Sequence, residues 1–170
     1  MRLLLCNLRS EMRNWPRVAS VAGMLLLGLV WLIVLSMVGT PRALLLLLSH
    51  RMAVPPSWIF LLSMLILFLV CGFCIGGALC VEKWGVDLCR YRGAFFFAVA
   101  LPLCYLWYAV LFGAHFFLIA ALLALFSCLF FFFCAINFWR VSSLASMGIW
   151  LTFLIMCGAF LFSILCFFTI

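Results

Sequence analysis

Polar positions along this chain are rare, and they come in clusters. Ten basic and three acidic residues fall in short groups. No charge lies between Arg17 and Arg42, between Arg51 and Glu82, between Arg92 and Arg140, or from Val141 to Ile170. Inside these stretches the apolar residues do not alternate; runs such as Leu44–Leu48, Phe95–Phe97 and Phe130–Phe133 are continuous. A bilayer core is about 30 Å thick and takes about 20 apolar residues of helix. Three stretches fit one span each, and the stretch from Arg92 to Arg140 fits two. Backbone in lipid must be satisfied within helices or closed barrels, and barrel strands alternate. The expected fold is therefore all-α and integral to a membrane: a five-transmembrane-helix bundle with spans at about 18–38, 58–80, 94–112, 116–138 and 144–168.

The polar groups punctuate these helices. Residues 1–17 set Arg2, Arg9, Arg13 and Arg17 against Glu11 and read as a basic lead-in at the membrane surface, with Trp15-Pro16 at the interface. Gly39-Thr40-Pro41 ends the first span. Leu44–Leu48 is too short to cross and is expected to lie at the interface or fold back over the bundle. Pro55-Pro56 opens the second helix, where first-turn N–H groups lack partners anyway. Residues 82–92 read as a polar turn, and Gly113-Ala114-His115 as a very tight hairpin. Ser142-Ser143 offers an N-cap to the last helix. With the N-terminus inside, eight basic residues fall on inner segments and two on the outer one, which the positive-inside rule favours. Residues 18–170 read as one domain.

Composition narrows the function. The chain is 72% hydrophobic with a mean hydropathy of +1.48. Soluble domains are roughly 45–50% apolar, so a water-soluble fold is excluded. The net charge of +7 flanks spans and meets lipid headgroups; no nucleic acid is expected as a partner. Six of the ten cysteines (Cys71, Cys74, Cys104, Cys128, Cys134 and Cys166) sit inside apolar runs and read as small packing residues, including the Cys71-x-x-Cys74 pair. The start of the chain has too short an apolar run for a cleavable signal, so the first span is expected to direct insertion. The expected location is a bacterial cell membrane, multi-pass, N-terminus cytoplasmic.

Candidate chemistry is sparse. Spans that pump or relay protons carry intramembrane ionisable groups, and no span centre here has one. His50, Glu82 and His115 sit at span ends or turns. Nucleophile, phosphate-loop and zinc motifs are absent, so no catalytic residue and no metal ligand is assigned. Gly72-x-x-x-Gly76 and Ala94-x-x-x-Ala98 suit close helix approach, within the chain before between chains. Trp15, Trp58, Trp84 and Trp139 lie near span ends as an aromatic belt does. Trp31 and Trp107 lie deeper, either packed or lipid-facing, or as the wall of an apolar cavity.

Three motifs carry a family likeness. Pro55-Pro56-x-Trp58 opens the second helix; Leu103-Cys104-Tyr105-Leu106-Trp107-Tyr108-Ala109-Val110-Leu111-Phe112-Gly113 ends the third; Phe138-Trp139-Arg140-Val141-Ser142-Ser143-Leu144-Ala145 joins the fourth to the fifth. In order and spacing, over about residues 18–168, the chain resembles the translocator protein family, also called tryptophan-rich sensory proteins or peripheral benzodiazepine receptors. The resemblance implies a five-helix bundle, often dimeric, whose cavity opens toward the first loop and holds porphyrins, sterols or synthetic aromatic amides. Members are linked to tetrapyrrole and stress regulation, and some bacterial ones degrade porphyrin in light. Several positions depart from the pattern. Ala53 stands where the family has Trp, and Leu61-Leu62-Ser63-Met64 replaces Gly-Pro-x-Trp. Cys104 replaces Asn, Leu151–Ile155 replaces Pro-Tyr-x-x-Trp, and Ser163 replaces a later Asn. A greasier cavity is implied.

The expected function is binding of a flat hydrophobic ligand, a tetrapyrrole (porphyrin or haem-type) or a sterol-like molecule, within the bundle, in regulation or transport. Pro55, Pro56, Trp58, Trp107 and Phe112 are the candidate ligand-binding residues, acting by enclosure and stacking. No cofactor is required; the partners are membrane lipid, the hydrophobic ligand and a second copy of the chain. The rivals are a membrane porphyrin-degrading enzyme and an assembly protein with no small ligand.

Overall fold

A computed structural model describes residues 17–38, 57–81 and 85–169. Among them the chain is helical throughout, as an apolar chain without water to satisfy its backbone must be. Helix α1 is Arg17–Val38, α2 Ser57–Cys80, α3 Asp87–Tyr108, α4 Phe117–Val141 and α5 Ser143–Thr169. Four described apolar lengths are sufficient to cross a membrane: Leu62–Cys80, Asp87–Ala114, Phe117–Val141 and Ser143–Thr169. The described apolar stretch of α1, Ser20–Leu35, is shorter. These four long apolar helices are consistent with a multi-pass membrane protein. The lead-in before Arg17, the 39–56 connection with its Leu44–Leu48 segment, and Pro55 and Pro56 lie outside the described residues.

Successive helices run antiparallel, so the bundle has two ends. One end gathers the start of α1, the end of α2, the start of α3 and the α4–α5 junction; the hairpin at His115 marks the other. Helix α3 starts earlier than the charges suggested. Asp87, Arg90 and Arg92, read from sequence as part of a polar turn, stand on its first turns. There Arg90 pairs with Asp87 at 3.3 Å and also donates to the Val81 carbonyl, tying the end of α2 to the start of α3. The hairpin is as tight as expected. Helix α3 widens into a π-helical turn over Ala109–Ala114, His115 takes the left-handed conformation (φ 58°), and Phe116 N–H donates to the Val110 carbonyl at 3.3 Å.

Side by side, the helices follow the order α1, α2, α5, α4, α3, and a sparser set of contacts returns α3 to α1 and α2. Each seam has its own means of attachment. On α1–α2, Gly23 and Gly72 set backbone on backbone, leaving no room for a Cβ at either. Gly72 of the small-residue motif thus works inside the chain, whereas Ala94 is half-buried and Ala98 exposed. Gly148 of α5 lies over Cys74 of α2 with no room for a Cβ. On α3–α4, a Cβ at Gly93 would come within 2.6 Å of the Phe138 ring.

Hydroxyls and one thiol bridge the other seams. Ser127 Oγ donates to the Ala100 carbonyl at 3.2 Å across α4–α3, and Ser146 Oγ to the Ala135 carbonyl at 2.8 Å across α5–α4. Cys71 and Thr152 lie 3.1 Å apart across α2–α5. In an apolar surround such bonds hold helices where hydrophobic burial cannot. The six cysteines read as packing residues are all buried between helices.

Candidate ligand seam between α1–α2 and α3

Trp107 and Phe112 are the sequence candidates whose side chains the structure describes. Trp58 is the second residue of α2, its side chain outside the described residues together with Pro55 and Pro56. Trp107 sits 20 residues into α3, about 30 Å from its start at helical rise, and so close to the hairpin end. It is fully buried, and its indole N–H donates to Ser163 Oγ of α5 at 2.8 Å. The same hydroxyl donates to the Ala159 carbonyl at 2.9 Å, so Ser163 is used as both donor and acceptor. A buried indole N–H requires such an acceptor. Ser163 thus supplies the polar partner that the tryptophan needs.

Around Trp107 the rings form one continuous cluster. Phe112 meets Trp107 edge-on at 6.3 Å between centroids, and Tyr108 meets Phe112 at 4.8 Å. Tyr108 also meets Trp31 of α1 edge-on at 4.8 Å, and Trp31 meets Phe68 of α2 at 5.1 Å. Phe68 then stacks on Tyr105 of α3, 4.6 Å apart and 16° from parallel. Tyr105 OH donates to the Leu27 carbonyl of α1 at 3.3 Å. Helices α1 and α2 thus meet α3 through four rings, Trp31 on Tyr108 and Phe68 on Tyr105, and one phenol hydrogen bond. Beneath them, Cys104 points its thiol at Met156 Sδ of α5, 3.3 Å away, and Met64 is buried on α2.

No family model matches this chain, and neither a curated protein nor a solved structure does.

The seam offers enclosure, stacking and polarisable sulfur, and its polar groups are hydroxyls, thiols and the indole N–H. Among the described residues no carboxylate and no histidine is part of it. Among the described residues no group of three or more His, Cys, Asp or Glu is placed to hold a metal ion. Trp31 was open in the sequence between packing and a cavity wall; the structure puts it in the ring cluster. Tyr105, Tyr108, Phe68 and Ser163 were missed as site residues. The chain has three tyrosines, and two of them flank Trp107. That was a usable signal, because a phenol in an apolar span needs an acceptor. Phe68 is one of 20 phenylalanines and carries no mark of its own.

Proposed function

We propose that the chain is a divergent member of the translocator protein family, with five spans, that binds a flat hydrophobic ligand in the seam between α1–α2 and α3. The observation that carries this reading is the nearly parallel Phe68–Tyr105 stack, backed by Trp31, Trp107, Tyr108 and Phe112. A stacked ring pair is held by dispersion across its contact face; a planar ligand that parts the rings replaces each ring's partner with its own face. The contacts of α3 with α1 and α2 are sparser than those of the α1–α2, α2–α5, α3–α4 and α4–α5 seams, so opening there disturbs less packing than at any of those. Tetrapyrroles and sterols are the ligand classes that the family likeness suggests, with a role in regulation or transport. Trp107 acts by shape and stacking; the reading assigns it no chemistry.

The test is a protoporphyrin titration of the detergent-purified chain, followed by tryptophan fluorescence. Saturable quenching in the micromolar range, about −8 kcal/mol, that is lost in Trp107→Ala and kept in Trp139→Phe supports the reading. Linear quenching that is the same in all three proteins refutes a tetrapyrrole seam. A parallel titration with a fluorescent sterol then decides whether any small ligand is held. Failure of both favours an assembly role, while light-dependent loss of porphyrin absorbance that depends on Trp107 favours the enzyme.

A further inference from the structure

At the other end of the bundle, the last turn of α4 and the first turns of α5 enclose a groove of about 430 Å³, lined by Ile136, Trp139, Arg140 and Trp150. We propose that this groove is a binding site for one anionic phospholipid, its phosphate on Arg140 and the start of an acyl chain along Ile136 between the two indoles.

Depth, shape and charge converge on that occupant. Trp139 and Arg140 stand where α4 ends, at the boundary of a span, and Trp150 lies seven residues into α5, about 10 Å deeper. The groove thus runs from headgroup level into the upper acyl region. Its volume falls in the range of small-ligand sites, about 300–1,000 Å³. The floor is apolar and aromatic. Trp150 is held edge-on by Phe132 at 5.6 Å and Phe153 at 5.4 Å, so that wall is rigid. Trp139 and Ile136 are exposed on the outer side, where lipid has access.

The single charged side chain in the lining is basic, and no Asp or Glu occurs anywhere from residue 88 to the end of the chain. At the same end of the bundle Asp87 and Arg90 pair with one another, so Arg140 sets the charge of the groove. The local field is therefore positive. Guanidinium offers five donors in a planar fork that suits a phosphate. Indoles prefer the same headgroup depth. A zwitterionic lipid would fill the apolar part equally well but brings no net negative charge, so the proposal commits to the anionic class. It stands apart from the aromatic seam and does not depend on it.

The experiment is native mass spectrometry of the full chain in mild detergent, offered equal amounts of dioleoylphosphatidylglycerol and dioleoylphosphatidylcholine. The expected result is a single retained phosphatidylglycerol, preferred about fivefold, the worth of roughly 1 kcal/mol for one basic residue at a membrane surface. Arg140→Gln removes the preference, while Arg92→Gln, exposed on α3, leaves it intact. Ile136→Trp fills the groove without changing charge and lowers retention of both lipids. Excess glycerol 1-phosphate leaves the bound lipid in place. Equal retention of the two lipids by the unaltered chain overturns the proposal, as does a preference that survives Arg140→Gln. Displacement by glycerol 1-phosphate overturns the lipid assignment and makes the site one for a soluble phosphate.

Discussion

Against α5, helix α2 places Cys74 under the backbone of Gly148 and Cys71 beside the Thr152 hydroxyl; against α3 it places the ring of Phe68 on the ring of Tyr105. The first seam is close backbone approach with a polar lock. Nothing can be inserted there without parting main chain from side chain and leaving polar groups in hydrocarbon. The second is ring on ring, with one phenol bond to the Leu27 carbonyl at its edge. On the function proposed above, a third flat group enters it and restores on each face what it removes. One helix thus has a fixed side and an exchangeable side. Glycine on α1 and α5 makes the fixed contacts, and rings on α1, α2 and α3 make the exchangeable ones.

Substitutions separate the two sides, the largest effect first. Trp107→Ala removes a fully buried indole and should destabilise the bundle by about 3 kcal/mol, the usual cost of a large ring truncated to alanine, seen as a lower melting midpoint in detergent. The same variant should lose ligand binding. Gly148→Val drives a branched side chain into Cys74 and should cost about 2 kcal/mol by overpacking. Because it wedges the fixed seam, it should leave the ligand dissociation constant within a factor of about two, measured by the same porphyrin titration.

Phe68→Leu keeps an apolar side chain but ends the stack. Two aromatic pairs, with Tyr105 and with Trp31, are lost at about 1 kcal/mol each, so the melting midpoint should fall, and ligand affinity should fall about fivefold with the lost stacking face. Ser163→Ala strips the acceptor from the Trp107 N–H. Interhelical hydrogen bonds in membranes average about 0.6 kcal/mol, so a small loss of stability is expected in the same melts. The indole emission should also shift to the blue as its hydrogen bond goes. Trp139→Phe, at an exposed position on the other end, should change neither stability nor porphyrin affinity beyond about 0.5 kcal/mol.

The helix count was legible because charge is so scarce here that its gaps outline the elements. The hairpin at Gly113–His115 was legible for the same reason: it was the one plausible break in a long apolar run. The start of α3 was not. Asp87, Arg90 and Arg92 are charged, and charge reads as a turn, yet a helix can carry an acid on its first turn and pair it with a base three residues on. Neighbour order around the bundle was also hidden. All faces of these helices are apolar, so periodicity does not say which face is inside.

Small residues partly compensated for that. Gly72 pointed to a close approach, but the Ala19-x-x-x-Gly23 pattern of its partner was not singled out. Trp107 and Phe112 were singled out through family likeness, and their rings meet at 6.3 Å. The rings that complete their cluster come from three helices and had no shared spacing to announce them. The groove at Ile136, Trp139, Arg140 and Trp150 was invisible for another reason. Trp139 and Arg140 read as belt and topology residues, and only the turn of α5 brings Trp150 beside them.

The most direct test of the exchangeable seam is photolabelling of the full chain in lipid nanodiscs with a diazirine sterol, mapped residue by residue by mass spectrometry. The account predicts saturable labels on residues 64–68 of α2 and 104–112 of α3, competed away by protoporphyrin and needing about fivefold more probe to saturate in Phe68→Leu. Labels confined to outward residues such as Leu122 and Leu154, rising linearly with probe and indifferent to porphyrin, would contradict it.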